Sequence, residues 1–415
     1  MTKGSGRHCL GCSSLLPDPF LDLGSTPLAN AYLHPERERT PEESFPLAVA
    51  YCTKCHLVQL ADRVPPDRMF SKYLYFSSYS DSFLHHAYRM ANEMTQRFGL
   101  GGTSRVLEIA SNDGYLLQYF LQRGVRVMGV EPAGNIAAEA ARKGIPTLTS
   151  FFGPEVVPEI EARFGTADLI IGNNVLAHVP AINDFLSAAV ACLKPDGAVV
   201  FEFPHIKELL DKTEFDTIYH EHVFYYSLSA VEVIARRSGL ELFDVEPQPI
   251  HGGSLRIFLQ HSGRRPVAAR VEATLKRERD EGLTTADHFV SFGLQVEALK
   301  RRLVQMLQQL KSGGNRLAAY GAPAKGNTLL NYCGIGPELL EFTVDRSPHK
   351  QGMLLPGSRL PILPPEELLR RMPDYAVILP WNIAGEIVEQ QWEYLRAGGR
   401  FIVPIPEPRI VEHSG

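Results

Sequence analysis

The stretch DTIYHEHVFYYS, residues 216 to 227, gathers two histidines, one glutamate and three tyrosines, with few of the regularly spaced aliphatics of an ordinary core element. An imidazole titrates near working pH, so it can take or give a proton. A phenol or carboxylate beside it can hold an oxyanion or fix local polarity. Tyr219, Glu221 and His222 therefore supply what a site that moves a proton on its substrate would need. Packing is the competing use, and Tyr225 and Tyr226 more simply fill a hydrophobic floor.

A second set of residues points to a metal. Four of the six cysteines form two Cys-x-x-Cys pairs, Cys9 with Cys12 in CLGC and Cys52 with Cys55 in CTKC. Each knuckle lets two thiolates meet one cation from a tight turn, and two knuckles complete a tetrahedral sulfur site suited to zinc. Four sulfurs leave no open coordination position, so the metal should be structural, and the adjacent His8 and His56 are not needed as ligands. Cys192 and Cys333 stand alone in apolar surroundings and read as core residues.

These groups need a scaffold. A tyrosine-rich loop and an amphipathic helix, together SKYLYFSSYSDSFLHHAYRMANEMTQRF, lead into strict alternation of strand and helix. RVLEIA, VRVMGVEP, DLIIGNNVL and GAVVFEFP read as strands of a parallel sheet, whose ligands sit at the carboxyl ends. LELFDVEPQP and SLRIFLQ, separated only by a break at IHGG, read as a strand pair without an intervening helix. That ending resembles the antiparallel closing strands of class I methyltransferases rather than a plain dinucleotide fold.

The strand ends carry candidate cofactor residues. EIASNDG places Glu108 in the first strand and leads through Ala110 and Asn112 to Gly114, which lets the backbone approach a ligand. Glu131, followed by Pro132, ends the second strand, where a carboxylate can accept from both ribose hydroxyls. One glycine where a dinucleotide loop wants three suits a ligand without a pyrophosphate, such as S-adenosylmethionine. Asn173, Asn174 and His178, after the third strand, face the same crevice, with a structural role for His178 weighed equally.

Bulk properties set limits. A chain of 415 residues exceeds one ordinary core, so two or three domains are expected. No apolar run is long enough to cross a bilayer and MTKGSGRHCLGC has no secretion-signal core, so a cytoplasmic protein with no membrane partner is expected. A net charge of −5 without a basic block argues against nucleic acid as a partner. Two rival classes follow: a nicotinamide-dependent nucleotide-sugar oxidoreductase, which lacks its GxGxxG loop here, and a zinc-ribbon RNA-directed protein, which the acidic balance opposes.

Taken in order, the two knuckles with CHLVQL, LEIASNDGYLL, GVEP, NNVLAHV, YHEH, GGSLR and YGAPAKGNTLLNY resemble the S-adenosylmethionine-dependent C-methyltransferases that act on nucleotide-linked keto-deoxysugars in antibiotic biosynthesis. The resemblance covers almost the whole chain and no motif departs from it. It implies an α/β protein of three parts: a zinc-binding domain over 1–75, a Rossmann-like cofactor domain over 76–262, and a second Rossmann-like domain over 263–415 that helps hold the nucleotide sugar. It further implies a thymidine diphosphate sugar methylated at carbon 3. His222 would be the base, Tyr219 the oxyanion partner, and Glu221 or His178 would fix polarity. Tyr75 and Tyr79 in the tyrosine loop, Ser254 and Arg256 in GGSLR, and Lys325 and Asn327 would contact the substrate. Three packed domains can bury enough surface for a monomer.

Read independently, RLAAYGAPAKGNTLLNY gives a strand, a small-residue turn and a helix start, and LEFTVD a further strand ending in Asp345. Gly321, Lys325 and Gly326 then lie where a helix amino terminus could meet a phosphate, with Arg346, His349 and Lys350 as weaker candidates. A long charged helical stretch before them reads as a connector that packs one face.

Overall fold

The computed structural model describes residues 7–37, 40–65, 67–70, 78, 81–250 and 252–412. The chain opens with three strands, β1 (Leu21–Thr26), β2 (Phe45–Tyr51) and β3 (Val58–Leu60), paired antiparallel in that order. An amphipathic helix, Asp81–Phe98, follows, burying Ala87, Met90, Ala91 and Met94 at helical spacing.

The central sheet is built from β4 (Arg105–Ile109), β5 (Arg126–Val130), β6 (Thr147–Leu148), β7 (Ala167–Asn173) and β8 (Leu193–Pro204). After β8 comes β9 (Phe224–Tyr225), and then β10 (Leu240–Gln248) and β11 (Ser254–His261) close the sheet. Its order is β10-β11-β8-β7-β4-β5-β6, with β11 antiparallel to both neighbours. The sheet is thus parallel until its closing pair, the class I methyltransferase arrangement that the helix-free ending predicts. Alternation along each strand feeds two cores. Leu107, Ile109 and Ile170 pack on the face that carries the cysteine knuckles, and Val106, Leu169 and Ile171 on the face covered by Asp81–Phe98.

The charged connector forms two helices, Ala269–Asp280 and Ala286–Ser312. The second buries Phe289, Phe292, Val296, Leu299, Leu303 and Leu307 in a single stripe. That stripe lies in a core shared by the amino-terminal sheet and the carboxyl-terminal domain, with Phe289 stacked on Tyr51 at 4.4 Å between ring centroids. Losing the Phe289 ring would cost about 3–5 kcal/mol, so this contact is a principal weld between the two ends of the chain.

The last domain contributes β12 (Leu317–Tyr320), β13 (Thr343–Val344), β14 (Ile362–Leu363), β15 (Tyr375–Ile378), β16 (Arg400–Val403) and β17 (Arg409–Val411). They form a sheet of order β14-β13-β12-β15-β16-β17, parallel except for β17. This is a second Rossmann-like unit. Gly321 makes its first turn possible: φ is +89°, and a Cβ there would lie 2.4 Å from Pro380 Cδ.

β9 does not join the central sheet that flanks it in sequence. It pairs with β3, Val58 opposite Tyr225 and Gln59 opposite Phe224, and so completes the amino-terminal sheet. The end of the histidine-rich stretch is therefore a strand of the cysteine-bearing domain. No described helix is long and apolar enough to cross a membrane.

Candidate active site

Three left-handed residues crowd the turn after β4: Ala110 at φ 55°, Asn112 at 49° and Gly114 at 77°. At Gly114 a Cβ would sit 2.2 Å from Ile145 Cδ1, so a side chain there would have to displace the end of that buried isoleucine as well as adopt the left-handed φ. Asn174, after β7, is also left-handed at 53°. Backbone strain of this kind costs on the order of 1 kcal/mol or more per non-glycine residue and collects where the chain must present itself to a ligand.

Glu131 anchors the turn. Its carboxylate accepts from the backbone N–H of Asn112 at 3.1 Å and of Ala133 at 2.9 Å, which fixes its two oxygens beside Pro132 at the end of β5. Glu108 is buried in β4, and both its oxygens have no partner among the described residues. Burial, reinforced by the charges of Asp113 and Glu131, holds its carboxyl well above the usual range. Asn173 donates to the Tyr115 hydroxyl at 3.3 Å, while its side-chain oxygen has no partner among the described residues. Orphaned polar atoms, a fixed acid and a left-handed turn at three adjacent strand ends fit an adenosyl ligand with an amino acid tail. Bound there, S-adenosylmethionine supplies an electrophilic methyl group. Glu108, Ala110, Asn112, Gly114, Glu131, Pro132, Asn173 and Asn174 lie at or beside these strand ends, where they would hold it.

The histidine-rich stretch forms a second cluster beside these strand ends. It begins in a short turn, Phe215–Thr217, and ends at Ser227, whose hydroxyl caps the helix Leu228–Arg237 by accepting from Ala230 N. His222 Nδ1 lies 2.9 Å from the Thr217 carbonyl, and His222 Nε2 lies 2.9 Å from the Tyr219 hydroxyl. A carbonyl only accepts, so Nδ1 carries the proton of the neutral ring and Nε2 the lone pair. His178 is held likewise by its Nδ1 against the Glu221 carbonyl at 2.7 Å, with its ring 5.0 Å from that of His222. Burial pushes the His178 imidazole below its ordinary value, which keeps it neutral.

Glu221 and His220 turn elsewhere. The Glu221 carboxylate accepts from Asn30 Nδ2 at 2.6 Å, and burial raises its carboxyl against the opposing effect of that bond. His220 is buried, with Nε2 3.2 Å from the Phe45 carbonyl, so it supports the loop rather than the pocket. Residues 29–33 link all three parts of the molecule. Asn327 Nδ2 donates to the Ala29 carbonyl at 2.6 Å, Asn30 holds Glu221, and the Tyr32 hydroxyl donates to the Ala322 carbonyl at 2.7 Å.

The four thiols of Cys9, Cys12, Cys52 and Cys55 converge, all within 4.8 Å of one another. Cys9 and Cys55 approach to 3.4 Å and Cys12 and Cys52 to 3.5 Å, too far for disulfides. Sulfurs on a zinc tetrahedron stand about 3.8 Å apart at bond lengths of about 2.3 Å, so this set fits the metal and closes its shell. Both knuckles end alike, in a left-handed residue after the second cysteine: Ser13 at φ 63° and His56 at 62°. His56 Nδ1 meets the Tyr51 hydroxyl at 2.7 Å and is no ligand. Cys192 and Cys333 are buried core residues, as their surroundings suggest.

Several expectations for the substrate change. Arg256 is 1% exposed and its guanidinium is bonded to Glu202 and Glu93, each at 2.6 Å, so it is a core ion-pair residue and not a substrate ligand. Lys325 bonds Asn382, stands 4.2 Å over the Trp381 ring and has Asp216 and Glu214 as its charged neighbours. Those contacts already engage its ammonium group. Lys350 Nζ donates to the Ala322 carbonyl at 2.8 Å, and Arg346 to Gln390 at 3.3 Å. Ser254 donates to the Ile250 carbonyl at 3.1 Å. Tyr75 and Tyr79 lie outside the described residues. Missed at the level of sequence were Asn30, Asp216 and Trp381. Of these only Asp216, first residue of the histidine-rich stretch, carried a signal.

Sheet order, strained turn and paired acids together define an S-adenosylmethionine-dependent methyltransferase. Comparison with known proteins bears on the particular kind. Residues 9–70 match a family described as a putative zinc binding domain, residues 83–245 a methyltransferase domain, and residues 249–406 a C-methyltransferase C-terminal domain. The chain is 38% identical over 398 residues to C-methyltransferase NovU of Streptomyces niveus, covering 95% of each. A ubiquinone biosynthesis O-methyltransferase of Rhodopseudomonas palustris strain TIE-1 is 33% identical over 97 residues, 23% of this chain and 38% of that protein. Magnesium protoporphyrin IX methyltransferase from Synechocystis PCC 6803, solved with bound SAM, aligns with 47% of this chain and 89% of its own at 14% identity and a TM-score of 0.33. The chain belongs to the C-methyltransferase family, as an S-adenosylmethionine-dependent enzyme with a zinc-binding amino-terminal domain.

Proposed function

We propose that the enzyme methylates carbon 3 of a thymidine diphosphate-linked 4-keto-deoxyhexose, in the cytoplasm, through an enolate. The observation that carries this reading is the Tyr219–His222 pair beside the cofactor strand ends, with the His222 lone pair on Nε2 facing the phenol at 2.9 Å.

A carbon-bound proton becomes removable only next to a carbonyl, and then needs a base and a group to hold the enolate oxygen. Neutral His222 offers Nε2 as that base. The Tyr219 hydroxyl donates to Nε2 until the substrate's ketone oxygen takes over this hydrogen bond, which uncovers the lone pair. Nε2 then accepts the proton from carbon 3, the C–H electrons pass into the enolate, and Tyr219 stabilises the oxyanion. His222 leaves this step as an imidazolium, with Nδ1–H still on Thr217 and His178 neutral beside it. The enolate's carbon 3 is thereby the nucleophile for the methyl group, and alignment of the two reactants is the remaining requirement. The keto sugar would lie against the Tyr219–His222 pair, beside the cofactor strand ends.

Enzyme incubated in heavy water with S-adenosylhomocysteine and the keto-sugar nucleotide should exchange the carbon 3 proton for deuterium. With methyl-labelled cofactor the label should appear on carbon 3. Label on oxygen, or no exchange, would refute the enolate route.

A further inference from the structure

We infer that Trp381 and Asp216 form a positioning pair through which the carboxyl-terminal domain sets the tautomer of His222. The catalytic meaning of this link rests on His222 being the proton acceptor, whereas the link itself is a matter of hydrogen bonding. Trp381 opens a short turn after β15, and its indole N–H donates to Asp216 Oδ2 at 2.7 Å. Both side chains are buried. The other carboxylate oxygen of Asp216 has no hydrogen-bond partner among the described residues, and Lys325 is its charged neighbour.

Asp216 is the middle residue of the turn Phe215–Thr217, and Phe215 also meets the last domain, edge-on to Tyr332 at 5.3 Å. The next residue, Thr217, presents its carbonyl to His222 Nδ1 at 2.9 Å. Two residues of the carboxyl-terminal domain thus fix the turn whose carbonyl selects the Nδ1–H form. If the turn shifts, the ring can protonate on Nε2, and an Nε2–H imidazole has no lone pair facing Tyr219. The second Rossmann-like domain then contributes to the chemistry without touching a reacting atom.

Nitrogen-15 NMR of the full-length enzyme labelled at histidine tests this directly, the His222 signals being assigned by their loss in His222→Asn. The wild type should show the Nδ1–H tautomer. Trp381→Phe and Asp216→Ala should populate the Nε2–H form and lower kcat by about tenfold, with the KM for the methyl donor within about twofold. Asp216→Asn, which keeps an acceptor for the indole, should restore both tautomer and most of kcat. An Nε2–H wild type, or a fall in kcat in Trp381→Phe and Asp216→Ala without any tautomer change, would overturn the inference. Normal turnover in His222→Asn would instead remove the base assignment and leave the tautomer link standing.

Discussion

The Tyr219 hydroxyl and His222 Nε2 are hydrogen-bonded at 2.9 Å across three residues of one loop, so the phenol covers the lone pair that proton abstraction would use. Two variants separate their roles. His222→Asn should bind S-adenosylmethionine normally, measured as an unchanged thermal shift, and lose turnover by on the order of a hundred-fold or more. Tyr219→Phe uncovers the base but removes the oxyanion donor, and should lose about ten- to a hundred-fold. Wild-type turnover in His222→Asn would pass the base role to His178.

Glu131 holds one backbone N–H of the turn after β4, that of Asn112, and one beyond β5, that of Ala133. Glu131→Ala should therefore raise the KM for S-adenosylmethionine by on the order of 10- to 100-fold while kcat at saturation changes much less. A fall confined to kcat would contradict a binding role.

Removing zinc should disturb stability and chemistry together. Cys52→Ser should lose metal, measured by atomic absorption, and about 2–5 kcal/mol of stability. Because β3 pairs with β9, immediately after His222, chelation should also lower kcat before the protein unfolds. A metal-free protein with full stability and turnover would show that the four thiols have another purpose.

Burial raises the Glu214 carboxyl to about 7, against the opposing pull of Lys212. The folded chain therefore keeps this proton to higher pH than the unfolded one, and a penalty to stability grows as pH rises from about 4.5 to 7. Glu214→Gln should match the wild type in melting temperature at pH 4.5. At pH 8 it should be the more stable, by on the order of 1–3 kcal/mol. A melting difference that does not vary with pH would refute this.

Much of the scaffold was legible because it depends on local pattern. β4, β5, β7 and β8 announce themselves through apolar residues bounded by turns, and the helix-free step from β10 to β11 distinguishes a methyltransferase from a dinucleotide fold. Of the two-residue strands, β13 was legible in LEFTVD, whereas β6, β9 and β14 were not and exist through their pairing partners. The site divides along the same line. Gly114 and the four cysteines follow from spacing, but Arg256 and Lys325 were misread because charge type is local and partners are not. Glu202 and Glu93 claim one, and Trp381 and Asn382 the other. Asn30 and Trp381 look ordinary in sequence, and only the fold brings them to the histidine-rich stretch.

The placement of β9 has a consequence for how the molecule can be made and divided. While the nascent chain grows, the metal-bearing sheet keeps β3 as an open edge until the polypeptide has passed Tyr225, long after the cysteines have emerged. A cut between the first two units would strip one of its border strand and leave the other with a loose histidine-rich loop. Shuffling these parts among related enzymes should succeed only when the cysteine knuckles and the histidine-rich loop travel as a matched set.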